Sequence, residues 1–250
     1  MSSPVFFFDP EDEGMIQAVV AAQATFRYFW RELCWERRRI LPGLDFAAIK
    51  LPFQDEPGSE VEHMWVGDVE FDGDTLSGTL MNEPNWLQSV RQNDRVTAPF
   101  VHLEDWMFAV GGIAYGGHTV QRSRENMSPD ERAAHDDAWG LDFGFPGQVR
   151  LELHNPEPTS GHLDHPMCLN MLPRIEQQLR QNAAPYLEPD EQGWTMLHHE
   201  ALAGNLGVTK LLIQYGGDVR TLTSQGRTPA ELAAGIGWHE LATELSVSAA

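Results

Sequence analysis

The chain has 250 residues, with 37 Asp and Glu against 17 Lys and Arg, and its formal net charge at pH 7 is −20. This acidity argues against nucleic acids and anionic membranes as partners, because phosphate groups are bound by basic surfaces. It favours a basic protein partner, whose approach is accelerated by a negative surface. Acidity that serves solubility alone is the alternative interpretation.

Residues 9–39 are predicted to form a long helix. Asp9 can cap its N-terminus, and Pro10 suits the first turn of a helix. Three arginines, at positions 37–39, would fall in the last turn, where positive charge favours the helix dipole. Apolar residues recur close to the helical period, at Ile16, Val19, Val20, Phe26, Phe29, Trp30, Leu33 and Cys34.

Residues 46–120 are predicted to form an antiparallel sheet. The expected strands span residues 47–53, 62–71, 75–80, 95–101 and 105–110, and Asp72-Gly73-Asp74 is a hairpin signal. Gly111-Gly112 and Gly116-Gly117 are expected to end the sheet without a following helix, which argues against a nucleotide-binding loop. The fold class predicted for this part is α+β, a long helix packed on a twisted antiparallel sheet.

Several blocks in this region carry a resemblance to a known family. They are residues 62–66, Gly78 with Asn82-Glu83-Pro84, Asp105-Trp106-Met107, and residues 116–120. In this order they resemble the YegJ-like family of uncharacterised bacterial domains, over residues 15–125. The resemblance implies an α+β fold and brings no established activity. Some bacteria encode such domains beside secreted toxins.

Residues 125–170 are predicted to connect two domains. A capping box at residues 128–131 begins a short helix that runs to Trp139, and residues 149–153 alternate like an edge strand. His162, Asp164 and His165, with His154 nearby, form a weak metal-ligand pattern. Because they lie among turn residues, we interpret them as solvent-exposed loop histidines and predict no metal site.

A repeat with an offset of 33 residues occupies the C-terminal part of the chain. The matching pairs are Thr195 and Thr228, Ala201 and Ala234, Val208 and Leu241, and Leu212 and Leu245. This period is typical of helix-turn-helix arrays. Together with Gly193 and Thr195 in the turn and Gly216-Gly217-Asp218-Val219 at the repeat end, it resembles ankyrin repeats, which mostly bind proteins.

The same offset, extended backwards, predicts a further helix over residues 172–182. The chain would then consist of a YegJ-like α+β domain over residues 1–168 and an ankyrin-repeat domain of about two and a half repeats over residues 169–250. Because short arrays are rarely stable alone, we expect this one to dock on the preceding domain.

Candidate catalytic residues are few. Glu62 and His63 could form an acid/base pair with Glu104 and Asp105, but strand alternation places Glu62 and His63 on opposite faces, which favours a structural role. His198 is expected to hydrogen-bond backbone between repeats, as the ankyrin resemblance implies. We therefore predict no catalytic, cofactor-binding or metal-binding residues, and no enzyme.

Acidic turns are the predicted contact surface for a partner. We expect the contacts to come from a set of acids in turns and one aromatic residue, namely Glu188, Asp190, Glu191, Trp194, Asp55, Glu56, Asp72 and Asp74. The N-terminus lacks the basic region of a signal peptide, and no apolar run has the length of a membrane span, so a cytoplasmic protein is expected.

These expectations lead to a functional hypothesis. The protein is predicted to be a bacterial immunity protein that binds and neutralises a basic toxin, such as a nuclease. The combination of a YegJ-like domain with short ankyrin repeats resembles immunity proteins encoded beside type VI secretion effectors. A cytosolic ankyrin scaffold or regulatory adaptor is the alternative, and an unrecognised hydrolase is the third hypothesis.

Overall fold

A computed structural model of the chain describes residues 12–154 and 164–249. These residues form two compact units. The sheet unit comprises residues 12–29 and 39–153, and the helical unit comprises residues 30–38, 154 and 164–249. Helix α1 (Glu13–Glu36) contributes residues to both units. In the described part of the chain, no helix combines the length and the apolar character needed to cross a bilayer.

Helix α1 begins after Asp12, and the predicted start at residues 9–11 lies outside the described residues. The Asp12 carboxylate accepts a hydrogen bond from the Gly14 backbone N–H at 2.9 Å, and it pairs with Arg122 at 3.0 Å. It therefore satisfies one of the backbone donors that the first helical turn leaves unpaired. The helix ends at Glu36, so the prediction that residues 37–39 lie in its last turn was wrong.

The sheet is antiparallel throughout, as predicted. Its strand order is β4-β3-β2-β1-β5-β6. The strand bounds are β1 (Phe46–Phe53), β2 (Glu62–Phe71), β3 (Thr75–Leu80), β4 (Arg95–Pro99), β5 (Asp105–Val110) and β6 (Ile113–Gly116). The hairpin between β2 and β3 is confirmed, since the Asp72 carboxylate accepts hydrogen bonds from the backbone of Asp74 and Thr75.

Each face of the sheet is covered by aromatic side chains. On one face, Phe26 of α1 meets Phe71 with ring centroids 5.2 Å apart, and Phe29 meets Trp106 at 5.9 Å. On the other face, a cluster contains Met107, Ala114, Val120 and Phe143, with Phe46, Trp65, Trp139 and Leu141 packed against it. Strand alternation therefore buries apolar residues on both faces of the sheet.

Two short helices follow the sheet. Helix α2 (His118–Glu125) begins directly after Gly116-Gly117, where we expected no helix, so that prediction was wrong. Helix α3 (Pro129–Trp139) begins at the predicted capping box, in which Ser128 and Glu131 exchange hydrogen bonds. Residues 149–153 form no strand, contrary to expectation. They approach β6 through the carbonyl of Arg150, which accepts a hydrogen bond from Gly116 at 2.8 Å.

The helical unit is an array of paired helices. Its bounds are α4 (Pro166–Gln181), α5 (Ala184–Leu187), α6 (Met196–Leu202), α7 (Leu206–Gln214), α8 (Pro229–Gly235) and α9 (His239–Ser248). Helices α6 and α8 begin 33 residues apart, as do α7 and α9, which agrees with the offset in the sequence. The predicted helix over residues 172–182 forms the second part of α4, which begins earlier because His165 caps it and Pro166 opens it.

Candidate functional site

A tight turn over residues 190–194 precedes α6 and presents Trp194. The Asp190 carboxylate accepts hydrogen bonds from the backbone N–H groups of Gln192 at 2.9 Å and Trp194 at 2.8 Å. Gly193 has a φ of 77°, a left-handed conformation that favours glycine. The Trp194 ring lies 4.8 Å from the ring of His199, which is exposed. The turn therefore holds an indole beside an exposed imidazole.

The corresponding turn of the next repeat stacks on this one. The Ser224 backbone N–H donates to the Gln192 carbonyl at 2.7 Å, and Gly193 packs against the backbone of Leu222. Leu222 is 55% exposed. We call the surface formed by Glu188, Asp190, Glu191, Trp194 and Leu222 the finger surface. It combines exposed apolar groups with three exposed acids, a composition suited to binding a protein.

His198 joins the two repeats, as the ankyrin resemblance implies. Its Nδ1 atom accepts from the Thr195 backbone N–H at 3.0 Å, so the neutral ring carries its hydrogen on Nε2. That Nε2–H donates to the Thr221 carbonyl at 3.0 Å. Burial lowers the pKa of His198, because the charged ring is poorly solvated at this position.

The predicted contact acids fall into two groups. Asp72 and Asp190 accept hydrogen bonds from backbone N–H groups of their own turns, whereas Asp55 accepts them from Gln88 and Ser89 and so joins two loops of the sheet unit. Hydrogen bonds from Ser89 and Gln88 lower the pKa of Asp55. The exposed carboxylates of the other group are Glu56, Glu188 and Glu191, and Asp74 is half-buried.

The predicted acids of the sheet unit do not form one cluster. Asp55 and Glu56 lie in the connection that precedes β2, whereas Asp72 and Asp74 lie in the turn that follows it. A strand rises about 3.3 Å per residue, so the ten residues of β2 separate the two groups by roughly 30 Å. Each group can contact a partner only at its own end of the sheet.

The acidic excess lies mainly in the sheet unit. Its described residues include 22 Asp and Glu against nine Lys and Arg, whereas those of the helical unit include 12 against eight. Of the 22, Glu62 and Asp105 are buried and the rest are at least partly exposed. The sheet unit therefore presents a strongly negative surface, and the helical unit a more balanced one.

Asp105, one of the motif residues, has a structural task. Its carboxylate is fully buried and accepts hydrogen bonds from the backbone N–H groups of Trp106, His118 and Thr119 at 2.8–2.9 Å, and from the Thr119 hydroxyl at 2.6 Å. Two of these N–H groups belong to the first turn of α2, so Asp105 caps that helix from a neighbouring strand. The neighbouring motif residue Gly116 also has a structural reason, because any side chain at this position would collide with Trp106.

The residues considered as an acid/base group, Glu62 and His63 with Glu104 and Asp105, do not meet at one site. His63 Nδ1 lies 2.6 Å from Glu104 Oε2, and both side chains are 13% exposed. Glu62 is buried and accepts hydrogen bonds from the backbone and side chain of Asn85. The expected separation of Glu62 from His63 is therefore consistent with their different partners. Glu62 fixes the loop after β3, and Asp105 caps α2.

An ion pair between the exposed Arg38 and the buried Glu200 of the helical unit escaped the sequence analysis. Glu200 has no exposed surface, and its carboxylate accepts hydrogen bonds from Arg38 at 2.6 Å and from the Asn205 side chain at 2.6 Å. Asn205 in turn accepts from the Trp35 indole at 3.0 Å. A sequence signal existed, because Glu200 shares the inward stripe of α6 with Leu197 and Ala201.

The histidines near residue 160 are less exposed than expected. His165 is only 3% exposed, so its interpretation as a solvent-exposed loop residue was wrong, whereas His154 is exposed and His162 lies outside the described residues. His165 Nε2 lies 3.1 Å from the carboxylate of Glu32, which is also buried. Within the described residues, Glu32, His154 and His165 are a group that could hold a metal ion.

The fold and these contacts define an α+β domain with a C-terminal helical array, and comparison with known proteins identifies its family. Residues 12–143 match the family described as "Uncharacterized protein conserved in bacteria (DUF2314)". The chain belongs to this family.

Two curated proteins extend the comparison. A Neisseria meningitidis serogroup B protein, named "Putative ankyrin repeat protein", is 45% identical over 242 residues, which cover 96% of each chain. The "Uncharacterized protein YegJ" of Escherichia coli K12 is 29% identical over 76 residues, 30% of this chain and 48% of that protein. The expected YegJ-like relationship is therefore supported.

Proposed function

We propose that this protein is a cytoplasmic immunity protein, which binds and neutralises a basic toxin through an acidic surface. The observation that carries the proposal is the acidic excess of the sheet unit, 22 acidic against nine basic residues, nearly all at least partly exposed. Such a surface attracts a basic protein at long range and accelerates its association.

A nuclease of a type VI secretion system is the toxin class we propose. Nucleases acting in the cytoplasm need a positively charged surface to hold phosphate groups. Exposed carboxylates, such as Glu56 in the sheet unit and Glu188 and Glu191 in the helical unit, would occupy the same basic groups. The immunity protein would then compete with nucleic acid for the toxin.

The helical unit supports protein binding by another route. Its helix pairs repeat every 33 residues, and its turns stack through Gln192 and Ser224. We propose that they are ankyrin repeats, in keeping with the name of the Neisseria relative. Trp194 and Leu222 would supply apolar contact area on the finger surface, where aromatic side chains contribute strongly to binding.

The proposed mode of action is binding without catalysis. Asp105, Glu62 and Glu200 are three of the buried acids, and each is engaged by hydrogen-bond donors of its own unit. Their arrangement explains how the units hold their shape. We therefore propose that the exposed carboxylates, rather than the buried ones, perform the function.

The direct test is co-expression with the product of each neighbouring gene. The proposal predicts that one neighbour is toxic alone and that this chain restores growth and forms a stable complex with it. Glu188→Gln with Glu191→Gln is expected to weaken rescue, because both carboxylates are exposed and Asp190 can still close its turn. Glu240→Gln with Glu244→Gln removes the same charge from exposed positions of α9, in the same unit but outside the finger surface, and is the matched control.

Other outcomes discriminate between the hypotheses. A stable complex with a neighbour that is not toxic would favour a scaffold or regulatory adaptor. The absence of rescue with every neighbouring gene would rule out the proposed immunity function. Equal loss of rescue in the Glu188/Glu191 and Glu240/Glu244 variants would contradict a specific contact at the finger surface.

A further inference from the structure

We infer that Glu32, His154 and His165 form a zinc site in the helical unit. Each residue offers one ligand atom, and the three atoms lie within 4.8 Å of one another. Glu32 is on α1, His165 caps the N-terminus of α4, and His154 lies earlier in the chain. Two histidines and one glutamate are a ligand set that zinc accepts, with water in the fourth position of a tetrahedral site.

The distances are close to those that a zinc ion requires. Zinc binds histidine nitrogen and carboxylate oxygen at about 2.1 Å, so two ligand atoms of a tetrahedral site lie roughly 3.4 Å apart. His165 Nε2 and Glu32 Oε2 are already 3.1 Å apart. His154 is exposed, and its ring meets that of His165 edge to face at a centroid distance of 4.9 Å. A side-chain rotation can bring its ligand atom into the coordination sphere.

Surrounding groups already fix the two buried ligands. The His165 ring stacks on Trp35 at 5.7 Å, and both His165 and Glu32 are almost fully buried. Restricted side chains lose little conformational freedom when they bind an ion. His154 is exposed, and only its side chain has to rotate for the three ligand atoms to meet one ion.

One hydrogen bond opposes metal binding, because it fixes which ring nitrogen of His165 carries the hydrogen. The Met167 backbone N–H donates to His165 Nδ1 at 3.1 Å, so the neutral ring carries its hydrogen on Nε2, facing Glu32. Zinc binding at Nε2 displaces that hydrogen, and the ring takes up a hydrogen at Nδ1. The Met167 bond is then lost. A single capping bond contributes far less than zinc bound by three protein ligands, so the balance favours the metal.

The test uses the full chain, stripped of metal with a chelator and titrated with zinc against a chromophoric competitor. We expect one zinc ion per chain. His154→Ala removes an exposed ligand without disturbing the core and should weaken binding at least tenfold, an effect of the size that loss of a supporting residue already produces at metal sites. His239→Ala, an exposed histidine of the same unit, is the matched control and should bind like the wild type.

Cobalt gives a second readout of the same site. Cobalt bound by the wild type should show the intense visible absorption of a tetrahedral complex, and His154→Ala should lose it. In addition, the Met167 amide should lose its hydrogen-bonded NMR shift on zinc binding. The inference is overturned if the wild type binds no stoichiometric zinc, if His154→Ala binds as well as the wild type, or if His239→Ala weakens binding equally.

Discussion

The sheet unit and the helical unit each contain a carboxylate with no exposed surface, and they satisfy it by different means. In the sheet unit, Asp105 accepts from backbone N–H groups and a hydroxyl within 14 residues of itself. In the helical unit, Glu200 is paired with Arg38, 162 residues earlier in the chain. The helical unit is therefore completed by a residue just beyond the end of α1, whereas the cap on α2 is local.

The two units also use α1 in opposite ways. The Trp106 indole of β5 donates a hydrogen bond to the Ala22 carbonyl of α1 at 3.0 Å. In the helical unit the indole belongs to α1 itself, because Trp35 donates to the Asn205 side chain at 3.0 Å. Both tryptophans have no exposed surface. The first half of the helix is held by the sheet, and its last turns form part of the array.

The largest effect is expected from Asp105→Ala. The substitution removes the acceptor of three buried backbone N–H groups. An unsatisfied buried donor costs about 1–3 kcal/mol, so the free energy of unfolding should fall by about 5 kcal/mol. Urea unfolding, with exposed Asp137→Ala as the control, measures the change. A loss equal to that of the control would show that Asp105 is not the cap of α2.

Substitution of Trp35 and of Trp106, one at a time, distinguishes the contributions of the two units. Trp35→Ala and Trp106→Ala should each lower the free energy of unfolding by about 4 kcal/mol, the usual cost of truncating a buried tryptophan. Hydrogen exchange locates the effect. Trp35→Ala should increase exchange in α6 and α7, and Trp106→Ala should increase it in the sheet. An identical exchange pattern for both variants would contradict the division of α1 between the units.

Arg38→Met tests how much the Arg38–Glu200 ion pair contributes to stability. The substitution leaves the buried Glu200 carboxylate without its charged partner and should cost about 2 kcal/mol, less than for a fully buried pair because the Arg38 side chain is 32% exposed. The additional change Glu200→Leu should recover part of the loss, because no buried charge is then left unpaired. Urea unfolding of the single and double variants gives the coupling between the residues. Additive losses would show that the pair does not stabilise the helical unit.

The smallest effect on stability is expected from pH. Burial lowers the pKa of His118 in the sheet unit and of His198 in the helical unit. Below pH 6.5 the unfolded chain binds protons that the folded chain does not, so stability is lost as pH falls through that value. His118→Gln and His198→Gln should each flatten the decline between about pH 7.5 and 5.5. Unchanged slopes would contradict the assigned role of burial.

The sequence predicted those features that depend on short-range pattern. Strand alternation, the Asp72-Gly73-Asp74 hairpin, the capping box at Ser128 and the 33-residue offset all act within a few residues or at a fixed spacing. Helix α2 was missed because Asp105, which caps it, lies on another element. The Arg38–Glu200 pair and the burial of His165 were missed because both depend on the packing of α1 in the helical unit.

The candidate contact surface was only partly predictable for a related reason. Acidic residues in turns are readily recognised, but the sequence does not show which carboxylates close their own turns. Asp72 and Asp190 do so, and Asp55 is engaged by the backbone of Gln88 and Ser89. The carboxylates of Glu56, Glu188 and Glu191 are on exposed residues.

The central claim is that the acidic surface binds a basic protein, and the salt dependence of that complex tests it most directly. The dissociation constant of the complex with the toxic neighbouring gene product is measured between about 0.05 and 0.5 M NaCl, since screening weakens contacts between exposed charges. We expect it to rise at least tenfold, and Glu188→Gln with Glu191→Gln to reduce that rise. A dissociation constant that does not change with salt would contradict the account.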